Sequence, residues 1–206
     1  HLRGAFEGFR RIRSPKKWMR AHRDFEWPDS YKPENLEDVK RFFDRYCKDI
    51  HNGWEMTPRV RIDVMDAYDY DYASARPEET FPLKRTEYKK LYLNAADGSA
   101  SFENPTTEAE VVYDPKTETT TFTYQFEEDT EITGFMKLHL NVECRGYDNM
   151  DLFPWVIKLD KDGNYVPIRV MGAPYRGAWG FLRCSHRDLD PQFASDFQPV
   201  HSHEKE

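Results

Sequence analysis

Phe135-Met136-Lys137-Leu138-His139-Leu140-Asn141-Val142-Glu143-Cys144 is the stretch on which the fold class turns. Its residues fall into two interleaved sets: Met136, Leu138, Leu140, Val142 and Cys144 against Phe135, Lys137, His139, Asn141 and Glu143. Successive side chains of a strand point to opposite faces, so the first set is expected to face a core and the second to face outward. Working outward, the whole region after Trp54 carries short runs rich in Val, Ile, Thr, Tyr and Phe, punctuated by Gly, Pro, Asn and Asp. Candidate strands are 59–65, 89–94, 99–103, 109–113, 119–126, 133–143, 152–159, 165–171 and 180–186, a spacing that predicts a mainly β fold, a β-sandwich. The run 152–159 is almost continuously apolar, which predicts a strand covered on both faces, with Pro154 at an edge or bulge.

Before Trp54 the period differs. Leu36, Val39, Phe42, Phe43, Tyr46, Cys47 and Ile50 recur at steps of three and four, the signature of one amphipathic helix over about 35 to 49. Pro33 and Asn35 lie at its start and Asn52-Gly53 closes it. Residues 17–21 read as a short strand leading into a loop over 22–29. No second long helix is readable.

The chain has 206 residues, 38% hydrophobic and 15% aromatic, enough to bury a core despite 33% charged residues. No run approaches the ~18 apolar residues needed to cross a bilayer, so no membrane partner is expected. Thirty Lys plus Arg against 37 Asp plus Glu give a net charge of -7, the wrong sign for a broad phosphate-binding surface, so no nucleic acid is expected. The one basic stretch, Arg10 to Arg23, reads as a solvated rim beside a buried strand. Cys47, Cys144 and Cys184 are widely spaced with no CxxC pair, which argues against a disulfide framework or zinc ribbon and for a reducing, cytoplasmic location.

Several clusters invite a chemical reading. Asp160-Lys-Asp162-Gly163-Asn164 resembles half a calcium loop, but its glycine comes too early, and a hairpin turn fits better. Asp66, Asp69 and Asp71 alternate with Tyr68, Tyr70 and Tyr72 and could bind a cation or a sugar or peptide; a solvated loop is the stronger reading. His186, His201 and His203 could chelate a metal only with an ordered set of supporting groups. No Gly-x-Ser-x-Gly, P-loop or dinucleotide fingerprint occurs, so no complete catalytic constellation, metal or cofactor is expected within the chain. By itself, His22 reads as a structural or exposed histidine.

A succession of motifs adds to this. Ser14-Pro-Lys-Lys-Trp18, His22, Glu26-Trp-Pro-Asp29, Lys40-Arg-Phe-Phe-Asp-Arg-Tyr46, Asn52-Gly-Trp54 and Thr57-Pro-Arg-Val-Arg61 resemble the domain junction of the cocaine-esterase/X-Pro dipeptidyl-peptidase (CocE/NonD) serine hydrolases. Glu131-Ile-Thr-Gly134, Asp148-x-x-Asp-Leu-Phe153, Lys158-Leu-Asp-x-Asp-Gly163 and Leu182-Arg-x-Ser-His-Arg-x-Leu-Asp-Pro191 are similar to that family's C-terminal jelly-roll domain. The resemblance implies a galactose-binding-like jelly-roll β-sandwich over residues 56–206, expected to be incomplete and to lack further strands, preceded over 1–55 by the α/β tail of a hydrolase domain. The chain is thus expected to be a fragment at both ends, inactive alone, partnered by an upstream α/β-hydrolase domain and acting with it on an ester or peptide substrate. In α/β-hydrolases the triad runs Ser, acid, His along the chain. That order implies His22 as general base and places nucleophile and acid before His1; Glu7, among glycines and basic residues, is a poor acid. Two other readings stand beside this one: a non-enzymatic module binding carbohydrate or peptide through Tyr68, Tyr70, Tyr72 and Trp179, and self-association of the parent into a homo-oligomer.

Overall fold

The computed structural model describes residues 2–204. His1, where the first expected domain begins, and residues 205 and 206, where the second ends, lie outside the described residues. In chain order the elements are α1 (Leu2–Arg11), β1 (Met19–Ala21), α2 (Glu26–Ser30), α3 (Pro33–Cys47), β2 (Val60–Ala67), β3 (Tyr70–Glu78), β4 (Tyr92–Asn94), β5 (Ser99–Ser101), β6 (Asp151–Leu152), β7 (Lys158–Leu159), β8 (Tyr165–Val166), β9 (Ile168–Val170), β10 (Ala173–Tyr175) and β11 (Leu182–Arg183). Strands outnumber helices, as the mainly β class requires. No helix among the described residues is long and apolar enough to cross a membrane. The chain divides into two compact units: residues up to 84 together with those from 135 on, and residues 85–134.

The core of the larger unit is built on β2. Val60, Ile62 and Val64 alternate with Arg61, Asp63 and Met65, and the apolar set is buried, as a half-covered strand demands. β1 pairs with β2 in parallel, Met19 opposite Val60 and Ala21 opposite Ile62. β3 pairs with β2 antiparallel through an irregular register. At that irregularity Ala75 takes a positive φ of 48° and its amide donates to Asp63 Oδ1 at 2.8 Å, so the carboxylate satisfies a group the ladder leaves out. Phe9, Met19, Phe81 and Leu83 complete the buried cluster.

Phe9 is delivered by α1, a helix the sequence does not announce because Gly4 and Gly8 interrupt its short apolar pattern. Lys17 Nζ donates to the carbonyls of Phe9 at 2.7 Å and Ile12 at 2.9 Å. A cation therefore satisfies acceptors that the end of the helix leaves open. The basic stretch is a solvated rim only in part: Arg11, Arg13 and Lys16 are exposed, whereas Lys17 caps α1, Arg20 grips Asp29 and Arg23 pairs with Asp71 at 2.5 Å.

α3 lies close to the span expected, with Pro33 in its first turn, where the missing N–H costs nothing. The apolar stripe divides. Phe42 and Tyr46 pack with Trp18 and Trp54, ring centroids 5.1–6.0 Å apart, while Leu36, Val39, Phe43 and Ile50 are exposed. Trp18 Nε1 also donates to Thr57 O at 3.0 Å, tying β1 to the segment before β2.

Beyond β3 the structure departs from the expected strand list. Within the smaller unit β4 and β5 form a hairpin, and Ala100 donates to Thr123 O at 2.9 Å; the candidates 109–113 and 119–126 form no ladder among the described residues. The candidate 133–143 is not a strand either. Met136, Leu138, Leu140 and Val142 are exposed along with Lys137, His139, Asn141 and Glu143, so neither set faces a core, whereas Phe135 packs against Phe81 with centroids 5.4 Å apart. Alternation decides which face is apolar only once a neighbouring strand takes up the backbone N–H and C=O groups, and no described strand pairs with this stretch. Likewise 152–159 is not covered on both faces: Phe153, Trp155, Val156 and Ile157 are exposed between the ends of β6 and β7. The remaining strands form two-stranded ladders, β6 with β11, β7 with β8 and β9 with β10. The turn joining β7 to β8 is the hairpin expected, with Gly163 at φ 82° and Asp160 Oδ1 accepting the amides of Asp162 and Asn164.

Candidate functional site

His22 follows β1 directly. Alternation along β1 turns Met19 and Ala21 into the core, and therefore turns Arg20 and His22 to the other side. On that side lies Asp29, in the last turn of α2 and only 1% exposed. A carboxylate buried this far must be matched by donors. Arg20 approaches both of its oxygens, Lys32 Nζ donates to Oδ1 at 3.0 Å, and Asn35 Nδ2 donates to Oδ2 at 3.1 Å. Asn35 also donates to the backbone carbonyl of Asp29 at 2.6 Å. Lys32 is shared with Asp24, at 2.7 Å.

The electrostatic outcome is a fixed anion. The Arg20 guanidinium holds the Asp29 carboxyl far below the usual carboxylate range, with Lys32 and the nearby His22 acting in the same direction and burial opposing them. His22 Nδ1 lies 3.4 Å from Asp29 Oδ2, and the His22 side chain is 21% exposed. The nitrogen itself is buried and, at this separation, makes no hydrogen bond. The ring is thus neither sealed among apolar groups nor free in solvent: one nitrogen is turned toward a buried carboxylate.

The chain beyond His22 is pinned from several directions. The amide of Arg23 donates to Asp63 Oδ2 at 3.2 Å, its carbonyl accepts from Met171 N at 2.9 Å, and its guanidinium meets Asp71. Groups on β2, on β3 and beside β9 therefore fix the backbone that carries the imidazole.

Asp29 was not singled out from the sequence. The implied order of a triad puts an acid before the histidine, where Glu7 stands; Glu7 pairs instead with Arg10 and Arg11 along α1. The available signal lay downstream: Asp29, Lys32 and Asn35 at three-residue steps through a helix start, a spacing that brings a carboxylate and two donors onto one side.

Other candidates are dispersed. Asp66 pairs with Lys158 and Asp71 with Arg23, so the alternating Asp and Tyr residues are not a loop with free carboxylates; Tyr70 and Tyr72 lie on β3, both exposed. His186 and His201 each direct Nδ1 to a backbone carbonyl, of His203 at 3.1 Å and Arg187 at 2.9 Å. Among the described residues no group of three His, Cys, Asp or Glu side chains stands close enough to hold a metal ion. Trp155, Trp179 and Phe181 form an exposed stack, consecutive centroids 5.8 Å apart and planes 26° apart.

Comparison with known proteins follows the same lines. The profile of the X-Pro dipeptidyl-peptidase C-terminal non-catalytic domain matches residues 52–204. Two crystal structures of a CocE/NonD family hydrolase from Staphylococcus aureus are similar: one at 39% identity and a TM-score of 0.91 over 98% of this chain, the other at 37% identity and 0.87 over 100%. The chain spans 37% of the length of each. A search of curated proteins gives no match.

Proposed function

The chain belongs to the family of X-Pro dipeptidyl-peptidase C-terminal non-catalytic domains, and from that premise we propose that it is the C-terminal portion of a CocE/NonD-type serine hydrolase in which His22 is the general base. In this reading residues 1 to about 55 close an α/β-hydrolase domain and the rest forms a sandwich that walls the active site. The observation that carries it is His22 itself, set at the end of a β-strand that runs parallel to its neighbour, partly exposed, with a carboxylate behind Nδ1.

The chemistry is acyl transfer. The imidazole takes the proton of an upstream serine as the oxygen attacks an ester or peptide carbonyl, then returns it to the leaving group. The three free cysteines suit a reducing, cytoplasmic setting. Because the nucleophile belongs to another part of the protein, the chain alone is inactive.

Replacing His22 by alanine in the complete protein tests the reading. Turnover should fall by several powers of ten, about the scale of losing a triad member, and a fluorophosphonate should label the complete protein but not this chain. Near-normal turnover of H22A overturns the assignment. The alternative of a carbohydrate- or peptide-binding module draws on Tyr68, Tyr70, Tyr72 and Trp179, of which Tyr70, Tyr72 and Trp179 are exposed. Trp179 lies stacked between Trp155 and Phe181, which occupies the faces of that ring that a sugar would need.

A further inference from the structure

A general base works only where its ring stands within reach of the proton, and a misplacement of about 1 Å can cost on the order of 10²-fold in rate. For a histidine, that place is set first by the backbone on either side of it. On the near side of His22 the sheet does this, with Ala21 paired to Ile62 where β1 runs beside β2. β1 ends at Ala21, so the chain on the far side needs other bonds.

Those bonds converge on Arg23. Its amide, part of the peptide unit shared with His22, donates to Asp63 Oδ2 on β2 at 3.2 Å, which fixes the rotation about the Cα–C bond of His22. Its carbonyl accepts from the amide of Met171 at 2.9 Å, in the turn between β9 and β10. Its guanidinium Nη1 stands 2.5 Å from Asp71 Oδ1 on β3, the two side chains 14% and 10% exposed. All three partners fall within residues 52–204, the span that matches the C-terminal non-catalytic domain.

We propose that Arg23 is the positioning residue of His22, the socket through which the C-terminal module holds the candidate base at its working place. The proposal rests on the reading of His22 as a general base and deepens it, because a module called non-catalytic then serves catalysis. It assigns no proton transfer to Arg23 or to its partners.

The socket is braced at each of its contacts. Burial of the ion pair limits screening by solvent and salt, and a buried charge that loses its partner is strongly destabilising, so guanidinium and carboxylate keep each other in register. Asp63 is fixed in turn, because its Oδ1 accepts the amide of Ala75 at 2.8 Å. Met171 and Gly172 take positive φ values of 53° and 78°, the conformation of a tight two-residue hairpin turn. Such a φ is uncommon for a residue with a side chain, and here it accompanies the bond from the Met171 amide to Arg23. The hydroxyl of Tyr68 donates to the Gly172 carbonyl at 3.2 Å, bracing the turn against the β2–β3 hairpin. One residue further on, the Asp24 carboxylate meets Lys32 at 2.7 Å and Arg169 of β9 at 3.9 Å, so the hold continues past Arg23.

The test compares wild type, R23A, R23K and D71N in the complete protein on two readouts. The first is the rate at which diethyl pyrocarbonate modifies His22, followed by peptide mass spectrometry and divided by the rate at His201. His201 is also partly buried and is bonded to the Arg187 carbonyl, so a general loosening of the fold exposes both rings and leaves the ratio in place. The second is kcat and KM on an ester. R23A should raise the ratio severalfold and lower kcat by about 10²-fold with KM little changed. R23K keeps the charge without the planar fork and should fall between R23A and wild type. D71N removes the partner charge at equal volume and should move both readouts the same way, which decides the matter if R23A does not fold. An unchanged ratio in folded R23A, or failing that in D71N, overturns the proposal whatever kcat does. Where H22A is inactive, a raised ratio with wild-type kcat overturns it as well. Retained turnover in H22A strikes the general-base reading alone, and the ratio still decides whether Arg23 holds the ring.

Discussion

Arg20 and Asp29 meet as a two-pronged ion pair between β1 and α2, the guanidinium reaching both carboxylate oxygens. Planar guanidinium and carboxylate match each other in this arrangement, and lysine cannot reproduce it. Arg20→Ala should therefore cost about 2 kcal/mol, the loss of a charge-assisted hydrogen bond to a buried acceptor, with Arg20→Lys recovering part of it. Urea denaturation of the two variants measures both, and equal stability of Arg20→Ala and wild type would show that Lys32 and Asn35 suffice.

Asp29 also sets a pH dependence with a definite sign. Its folded carboxyl lies below its ordinary value, chiefly because of the hydrogen bond from Arg20, so the unfolded chain binds the proton more readily than the folded one. The stabilisation is complete above the unfolded value near pH 4 and declines as the pH falls below it. Between about pH 5 and 2 the stability of the wild type should fall more steeply than that of D29N. Parallel acid limbs for the two proteins would contradict this.

Burial separates two valines that the sequence treats alike, both within expected strands. Val60 is 0% exposed and Val112 is 63% exposed. Val60→Ala removes packing from the centre of the core and should cost about 2 kcal/mol, whereas Val112→Ala should stay within ~0.5 kcal/mol. Thermal denaturation of both variants distinguishes the two environments.

Gly177 is the position least tolerant of a side chain. A Cβ added there would stand 2.2 Å from the backbone oxygen of Val156, at a φ of 131° that other residues rarely adopt. Gly177→Ala must push the two segments apart, at a cost of about 2 kcal/mol. The adjacent bridge between Trp155 and Trp179 should weaken with it, and the near-ultraviolet circular dichroism of the stacked indoles reports the change.

The sequence is legible where one local rule suffices. Steps of three and four place α3, and alternation over Val60, Ile62 and Val64 places the buried face of β2. The same rule fails over 135–144, because the apolar set there has no described strand to fix its facing. Helix α1 escapes notice for a different reason: its apolar residues are few, and what holds it is the ammonium of Lys17 at its end and Phe81 stacked on Phe6, contacts between segments remote in sequence. In the candidate site, the motifs around His22 are what point to it as the proposed base. Asp29 cannot be picked out in the same way, because its burial arises from a strand reversing into a helix, which brings the seventh residue after the histidine back to 3.4 Å from its Nδ1.

The pairing of β1 with β2 carries a consequence for how such proteins are assembled. The matched domain begins at residue 52, yet the strand that delivers His22 is bonded to residues 60–62 within it. The boundary of the matched domain does not coincide with a seam in the hydrogen bonding. Exchanging the matched domain for a distant cousin would swap the strand against which β1 is laid, so a graft would hold His22 in place only when the incoming segment offers Met19, Arg20 and Ala21 a neighbour of matching shape.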